Sequence, residues 1–248
     1  MSVINKMLRD LDQRQAAPVR GDAQPADAAL RRNTASVGSA PLPDAGRFNN
    51  AAIAVAFALL ALVLGGVVHA SCAVDAPGLV RHHFGNGLIL GEPTGGTSER
   101  VEALAALLVR AGFAATVSPR IQKDIWFKLW GNMTVNPVSA LTGATTDLIL
   151  GDPLVRNFVS AVMLEAKAIG ERIGLPIDQQ PTDRHAVTLK LGAFKTSMLQ
   201  DVEAGKPVEL DALVAAVREM GQLVAVPTPF TDALLGLARL QAQVKGLI

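Results

Sequence analysis

The sequence predicts a mainly α-helical fold, with a small α/β segment and an N-terminal tail in front of the helices. Capped helical patterns fill residues 120–248, short strand-like runs lie between residues 72 and 119, and an apolar run covers residues 51–68. Residues 1–50 have no sustained apolar period after a short amphipathic opening over residues 1–15. Such a composition cannot bury a core, so we expect a disordered tail that holds one short helix at its start.

The apolar run predicts a membrane-spanning helix. Every residue from Ala51 to Val68 is apolar or glycine, and a helix of that length extends about 27 Å, close to the ~30 Å hydrocarbon core of a bilayer. Arg47 lies just before the run and favours a cytoplasmic N-terminus. A buried core helix or a pair of strands is the alternative, because Gly65 and Gly66 interrupt the pattern near its end.

Charge and cysteine content exclude two classes of protein. The 23 Lys and Arg residues almost balance the 22 Asp and Glu residues, whereas a nucleic-acid-binding surface needs a basic excess, so no nucleic-acid partner is predicted. Cys72 is the only cysteine, which excludes a disulfide scaffold. The adjacent His82 and His83 would point to opposite faces of a strand and cannot chelate together, so no metal site is predicted.

The region from residue 72 to residue 119 predicts two strands, a helix and a third strand. Leu79–His83 and Leu88–Glu92 are strand-like, and Gly85-Asn86-Gly87 between them predicts a hairpin turn. A helix capped by Thr97 or Ser98 should then precede a short strand at residues 114–118. The remaining residues predict helices at about 121–141, 153–173, 183–204, 208–224 and from Pro229 to the C-terminus.

Neither glycine-rich segment predicts a nucleotide-binding loop. Gly85-x-Gly87-x-x-Leu90 lacks the third glycine of the dinucleotide fingerprint and precedes a strand, whereas the fingerprint follows a strand and opens a helix. Gly91-x-x-x-x-Gly96-Thr97 lacks the lysine that a phosphate loop uses to reach the phosphates. Both segments therefore predict turns.

The helix over residues 121–141 carries a row of polar side chains. Lys128, Asn132 and Asn136 are four residues apart, so an ammonium and two amides follow one another on one helical face at steps of ~6 Å. Pro137 removes the hydrogen bond to the Met133 carbonyl and disfavours helical geometry at Asn136, which predicts a kink at the end of the row. Such a kink would aim backbone groups at a ligand.

The alternative interpretation of this row is an exposed polar stripe on an amphipathic surface helix. Trp126 and Trp130, the only tryptophans of the chain, lie beside the row and favour a packed or cleft-lining position. Glu209 lies in a first helical turn, where an acidic residue commonly interacts with the helix dipole alone. Periodicity by itself therefore leaves both interpretations open.

Four segments in a fixed order resemble the ketopantoate reductase (2-dehydropantoate 2-reductase) family. They are KLWGNMTVNPVSALT over Lys128–Thr142, SMLQD over Ser197–Asp201, Glu209 with Asp211, and the VPTP turn over Val226–Pro229. The segments PGLVRH and LILGEPTGG also look like the last strands of that family's dinucleotide-binding domain. The resemblance covers about residues 72–241. It implies an all-helical C-terminal domain of the 6-phosphogluconate-dehydrogenase-like type over residues 120–248, preceded by the end of an NADP-binding α/β domain over residues 72–119.

The resemblance implies an oxidoreductase that reduces a small 2-keto acid, 2-dehydropantoate, to (R)-pantoate with NADP(H), a cytoplasmic step of pantothenate and coenzyme A synthesis. It assigns Lys128 as the general acid, which agrees with the ability of an ammonium to stabilise an alkoxide and supply a proton. Asn132, Asn136 and Ser197 match substrate-binding positions, and Glu209 matches a position on the cofactor side of the cleft.

The sequence departs from the family at two places. Thr146 stands ten residues after Asn136, where the family has a further binding position. The fingerprint glycines and the 2′-phosphate site, which should precede residue 72, are absent. We therefore expect impaired activity unless a partner supplies a nucleotide-binding domain; a homodimer is the other assembly considered.

Residues 1–15, MSVINKMLRDLDQRQ, resemble instead the N-terminus of an MSHA-type pilus biogenesis protein, a membrane component. The sequence thus suggests a composite chain with a junction at residues 68–72. The alternative function is a membrane-anchored assembly or binding protein, held in the membrane through residues 51–68, whose helical domain does no catalysis.

Overall fold

The computed structural model describes residues 63–76 and 78–248. Three strands come from the first part of this range: β1 (Gly65–Ala76), β2 (Leu79–Gly91) and β3 (Ala114–Val117). The helices are α1 (Glu99–Arg110), α2 (Ile121–Thr142), α3 (Thr146–Gly151), α4 (Pro153–Arg172), α5 (Pro181–Leu189), α6 (Ser197–Glu203), α7 (Ala216–Leu223) and α8 (Pro229–Val244). A π-helical turn, Asp211–Ala215, leads directly into α7.

The end of the apolar run is a strand, which corrects the prediction of a helix through Val68. Gly65–Val68 begin β1, where Val67 is buried and pairs with Ile89 of β2. Hydropathy could not separate the two readings, because a buried strand and a membrane span are both continuous apolar runs. The proposed junction at residues 68–72 also lies inside this strand. No helix within residues 63–76 and 78–248 is long and apolar enough to cross a membrane; the predictions for residues 1–50 and 51–62 lie outside the described residues.

The sheet has the order β1-β2-β3, with β1 antiparallel and β3 parallel to β2. The predicted hairpin turn at Gly85-Asn86-Gly87 is wrong, since all three residues lie within β2. His69 pairs with Gly87 and Ser71 with Phe84, so β2 has an extra residue and forms a bulge. Gly85 has φ +75°, and a Cβ there would lie 2.3 Å from the His69 carbonyl oxygen, which explains the glycine.

Helix α1 crosses from β2 to β3 and begins as predicted. Ser98 is its N-cap and accepts a hydrogen bond from the Val101 N–H. The Glu92 carboxylate, just after β2, accepts hydrogen bonds from Ser98 and from both Arg100 Nε, at 2.8 Å, and Arg100 Nη2. This ion pair lowers the pKa of Glu92 from 4.5 to about 2 and ties the end of β2 to the start of α1.

Helix α2 is the central helix of the helical region. It contacts α4, α6 and α8 and also β1. Every residue from Met133 to Ala140 is buried, including Asn136, and Lys128 and Asn132 are half-buried, so the interpretation as an exposed polar stripe is wrong. Trp126 and Trp130 both lie in the core. The helix continues through Asn136 and Pro137 to Thr142, because packing on all sides outweighs the local preference against helical geometry before proline.

Helices α4 and α8 begin where the sequence predicts, one predicted helix is divided into two, and the short helix α3 was not predicted. Asp152 caps α4 by accepting from the N–H groups of Leu154 and Val155, with Pro153 in the first position. The helix expected over residues 183–204 is two helices, α5 and α6, separated by a loop in which Gly192 has φ +63°. This division places the α5 side chains beside α2.

Candidate active site

Lys128 lies where the helical region meets the sheet. Its ammonium donates a hydrogen bond of 2.6 Å to the carbonyl oxygen of Val68 in β1. Burial lowers the pKa of Lys128, because the charged form loses hydration. An ammonium has three N–H donors, so Lys128 can hold the Val68 carbonyl and still donate to a substrate oxygen.

Asn132 and Asn136 line a cavity of about 120 Å³ beside α2. Asn136 is 9% exposed, whereas Asn132 is partly buried. Neither side-chain amide has a hydrogen-bond partner among the described residues, although buried amides normally have one. Lys128 is not part of the cavity wall; it lies one helical turn before Asn132, about 6 Å along the axis.

Residues on α5 and the following loop form the opposite wall. Arg184 and His185 of α5 and Phe194 of the loop line the cavity. Sequence reasoning did not identify Arg184 or His185, because they lie about fifty residues after the polar row and only tertiary packing brings them to it. No spacing signal in the sequence could have found them.

Of the other predicted site residues, Thr146 lines this cavity, whereas Ser197 and Glu209 do not. Thr146 lines it, but its hydroxyl donates to the Gly192 carbonyl at 2.8 Å. Ser197 is exposed at the start of α6, and its neighbour Thr196 lines the cavity instead. Glu209 is exposed just before the π-helical turn and does not line the cavity. The structure thus brings together Asn132, Asn136 and Thr146.

The described residues do not fit the phosphates of a nucleotide cofactor. The one glycine pair between a strand and a helix in this part of the chain is Gly95-Gly96, and both N–H groups already donate to carbonyls, of Glu92 and Pro119. The Glu92 carboxylate, which is ionised at neutral pH, also lies at the start of α1, where it accepts a hydrogen bond from the N-cap residue Ser98. A phosphate at the start of α1 would meet a like charge, and the N–H groups of Gly95 and Gly96 are already bonded.

Comparison with known proteins identifies the fold. Residues 120–242 match the family model of the ketopantoate reductase PanE/ApbA C terminal domain. A 2-dehydropantoate 2-reductase of Mesorhizobium japonicum is 49% identical over 184 residues, which are 74% of this chain and 56% of that protein. A crystal structure described as a putative ketopantoate reductase from Ralstonia solanacearum has 63% identity and a TM-score of 0.72, covering 75% of this chain and 56% of that one. A crystal structure of 2-dehydropantoate 2-reductase from Methylococcus capsulatus has 32% identity and a TM-score of 0.70, covering 73% of this chain and 63% of that one.

The described residues therefore have the fold of ketopantoate reductases, a class of oxidoreductases. Within them, residues 120–242 are similar to ketopantoate reductase C-terminal domains. The chain spans little more than half the length of the first of these relatives.

Proposed function

We propose that this chain is the substrate-binding and proton-donating part of a 2-dehydropantoate 2-reductase. The observation that carries the proposal is the pair of unsatisfied amides, Asn132 and Asn136, in a small cavity one helical turn beyond Lys128. Amides without protein partners are suited to the hydroxyl, keto and carboxylate oxygens of a small acid.

In the proposed reaction the keto carbon of 2-dehydropantoate receives a hydride and its oxygen receives a proton. We assign the proton to the Lys128 ammonium, whose pKa is lowered by burial and so lies closer to neutral pH, where a general acid works best. The hydrogen bond to the Val68 carbonyl orients the ammonium. Asn132 and Asn136 hold the substrate, and Ser197 remains a further proposed contact.

On family grounds we assign the hydride to NADP(H). On the same grounds we assign Glu209 a contact on the cofactor side of the cleft. Because the described residues do not fit the cofactor phosphates, we propose that a nucleotide-binding domain outside them completes the enzyme. A partner chain that supplies this domain is the assembly we propose, and the need for NADPH favours a cytoplasmic location.

The test measures NADPH oxidation with 2-dehydropantoate, by the chain alone and with the nucleotide-binding half of a ketopantoate reductase added. We expect little or no oxidation by the chain alone and turnover in the mixture. Lys128→Ala should lower that turnover about 10²- to 10⁴-fold, the usual contribution of a general acid. The matched control is Lys123→Ala on the same helix, where Lys123 faces Asp178 at 3.5 Å on the surface.

Turnover in the mixture that is unchanged by Lys128→Ala would contradict the assigned proton donor. A fast, Lys128-dependent rate from the chain alone would contradict the need for a further nucleotide-binding domain.

A further inference from the structure

The guanidinium of Arg184 is held over α2, and no carboxylate of the described residues pairs with it. It lies against the backbone of Gly131, where an added Cβ would come within 2.8 Å of Arg184 Nε and 2.9 Å of Arg184 Nη2. Its Cζ atom lies 5.2 Å from the centre of the Phe127 ring. Gly131 and Phe127 therefore leave room for the guanidinium and fix its place at the cavity.

No carboxylate of residues 63–76 and 78–248 lies within ion-pairing distance of Arg184. Arg184 is partly buried, and burial lowers its pKa. Proteins rarely withdraw a cation from water without a counter-charge. The arrangement points to an anion that is supplied by a ligand.

His185, the next residue, supplies an independent observation. Its side chain is buried, with 4% of the residue exposed, and both ring nitrogens lack a hydrogen-bond partner in this part of the chain. Burial and the charge of Arg156 lower the pKa of His185, so the ring is neutral at neutral pH and offers one donor and one acceptor. Buried polar atoms normally have partners, and His185 is one of the residues that line the same cavity as Arg184.

The wall of the cavity contains no acidic residue. Its polar groups are the Arg184 guanidinium, the His185 ring, the amides of Asn132 and Asn136, and threonine hydroxyls. A guanidinium presents parallel N–H groups that match the two oxygens of a carboxylate. The volume of about 120 Å³ suits a ligand of a few carbon atoms and excludes a nucleotide.

We propose that Arg184 binds the carboxylate of a small keto or hydroxy acid in this cavity and that His185 hydrogen-bonds to the same ligand. The identity of the acid rests on the proposed function, whereas the carboxylate site rests on the geometry of Arg184 and His185. Arg184 would thereby set the preference for an acid over its neutral derivatives.

The experiment is calorimetric titration of the full chain with pantoate and with the neutral lactone of pantoate. We expect wild type to bind pantoate at least tenfold more tightly than the lactone. Arg184→Gln should weaken pantoate binding about ten- to hundredfold, as expected for loss of charge-assisted hydrogen bonds, and leave lactone binding unchanged. The affinity of Arg184→Lys for pantoate should lie between those of wild type and Arg184→Gln. Arg172→Gln, at the exposed end of α4, is the matched control and should behave as wild type.

Pantoate binding by Arg184→Gln equal to that of wild type would overturn the carboxylate site. Failure of wild type to bind pantoate, pyruvate or 2-oxobutanoate would overturn it as well. Arg184-dependent binding of pyruvate or 2-oxobutanoate without binding of pantoate would support the site and refute the proposed substrate.

A second measurement needs no substitution. The ring nitrogen resonances of His185 in the wild-type chain should shift during titration with pantoate. Resonances that stay unchanged at saturating pantoate would overturn the role of His185.

Discussion

The helical region and the sheet of this chain differ sharply in how much apolar surface they bury. Trp130 and Val159 of the helical region are fully buried, whereas Val80 and Phe84 of β2 are 64% and 52% exposed. Val80 and Phe84 lie in the part of β2 that pairs antiparallel with β1, and an antiparallel sheet can leave one face exposed to water. The difference teaches that the helical region contains its own core, whereas the described sheet leaves large apolar side chains exposed and contacts the candidate site through the Val68 carbonyl.

The largest expected effect is a loss of stability when a core side chain of the helical region is truncated. Trp130→Ala should lower the free energy of unfolding by about 3–5 kcal/mol, because it removes a fully buried ring and the hydrogen bond of 2.8 Å from its indole N–H to the Met163 carbonyl. The matched variant in the sheet, Val80→Ala, should change it by less than about 0.5 kcal/mol. Denaturant unfolding of both variants measures the difference, and equal losses would show that the two regions do not differ as described.

A smaller effect on stability comes from the Glu92–Arg100 ion pair at the end of β2, and it depends on pH. The folded-state pKa of Glu92 lies below its ordinary value, so the ionised carboxylate stabilises the folded chain. This contribution is complete above about pH 4.5 and is lost as the pH falls towards 2. Glu92→Gln should therefore be less stable than wild type at neutral pH, and the difference should disappear in acid.

Thermal unfolding at several pH values measures this difference, with the exposed Glu102→Gln in α1 as the control. A stability difference that stays constant from neutral pH to pH 2 would contradict the assigned role of the Glu92–Arg100 ion pair.

Local signals predicted much of the fold, and they failed where tertiary context decides. Caps are local signals: Asp152 was predicted as the cap of α4, and Ser98 was one of the two residues predicted to cap α1. Gly65–Val68 was interpreted as the end of a span because apolarity alone does not distinguish a strand from a helix. Gly85-Asn86-Gly87 was interpreted as a hairpin turn because a bulge and a turn both require a glycine with positive φ.

The residues of the candidate site also fall into those that local spacing predicted and those that only tertiary packing supplies. The helical repeat of four residues placed Asn132 and Asn136 together, and they line one cavity. Arg184 and His185 line that cavity from another helix, and no periodicity of the sequence predicts this packing. The roles assigned to Ser197 and Glu209 stay predictions.

The most direct test of the account compares binding of pantoate and NADPH to the full chain by calorimetry. The account predicts that pantoate binds with one site per chain, that Asn136→Ala weakens this binding at least tenfold, and that NADPH does not bind at the same concentrations. Binding of NADPH by the chain alone, or pantoate binding that is unchanged by Asn136→Ala, would contradict the claim that the helical region holds the acid while the described sheet holds no nucleotide.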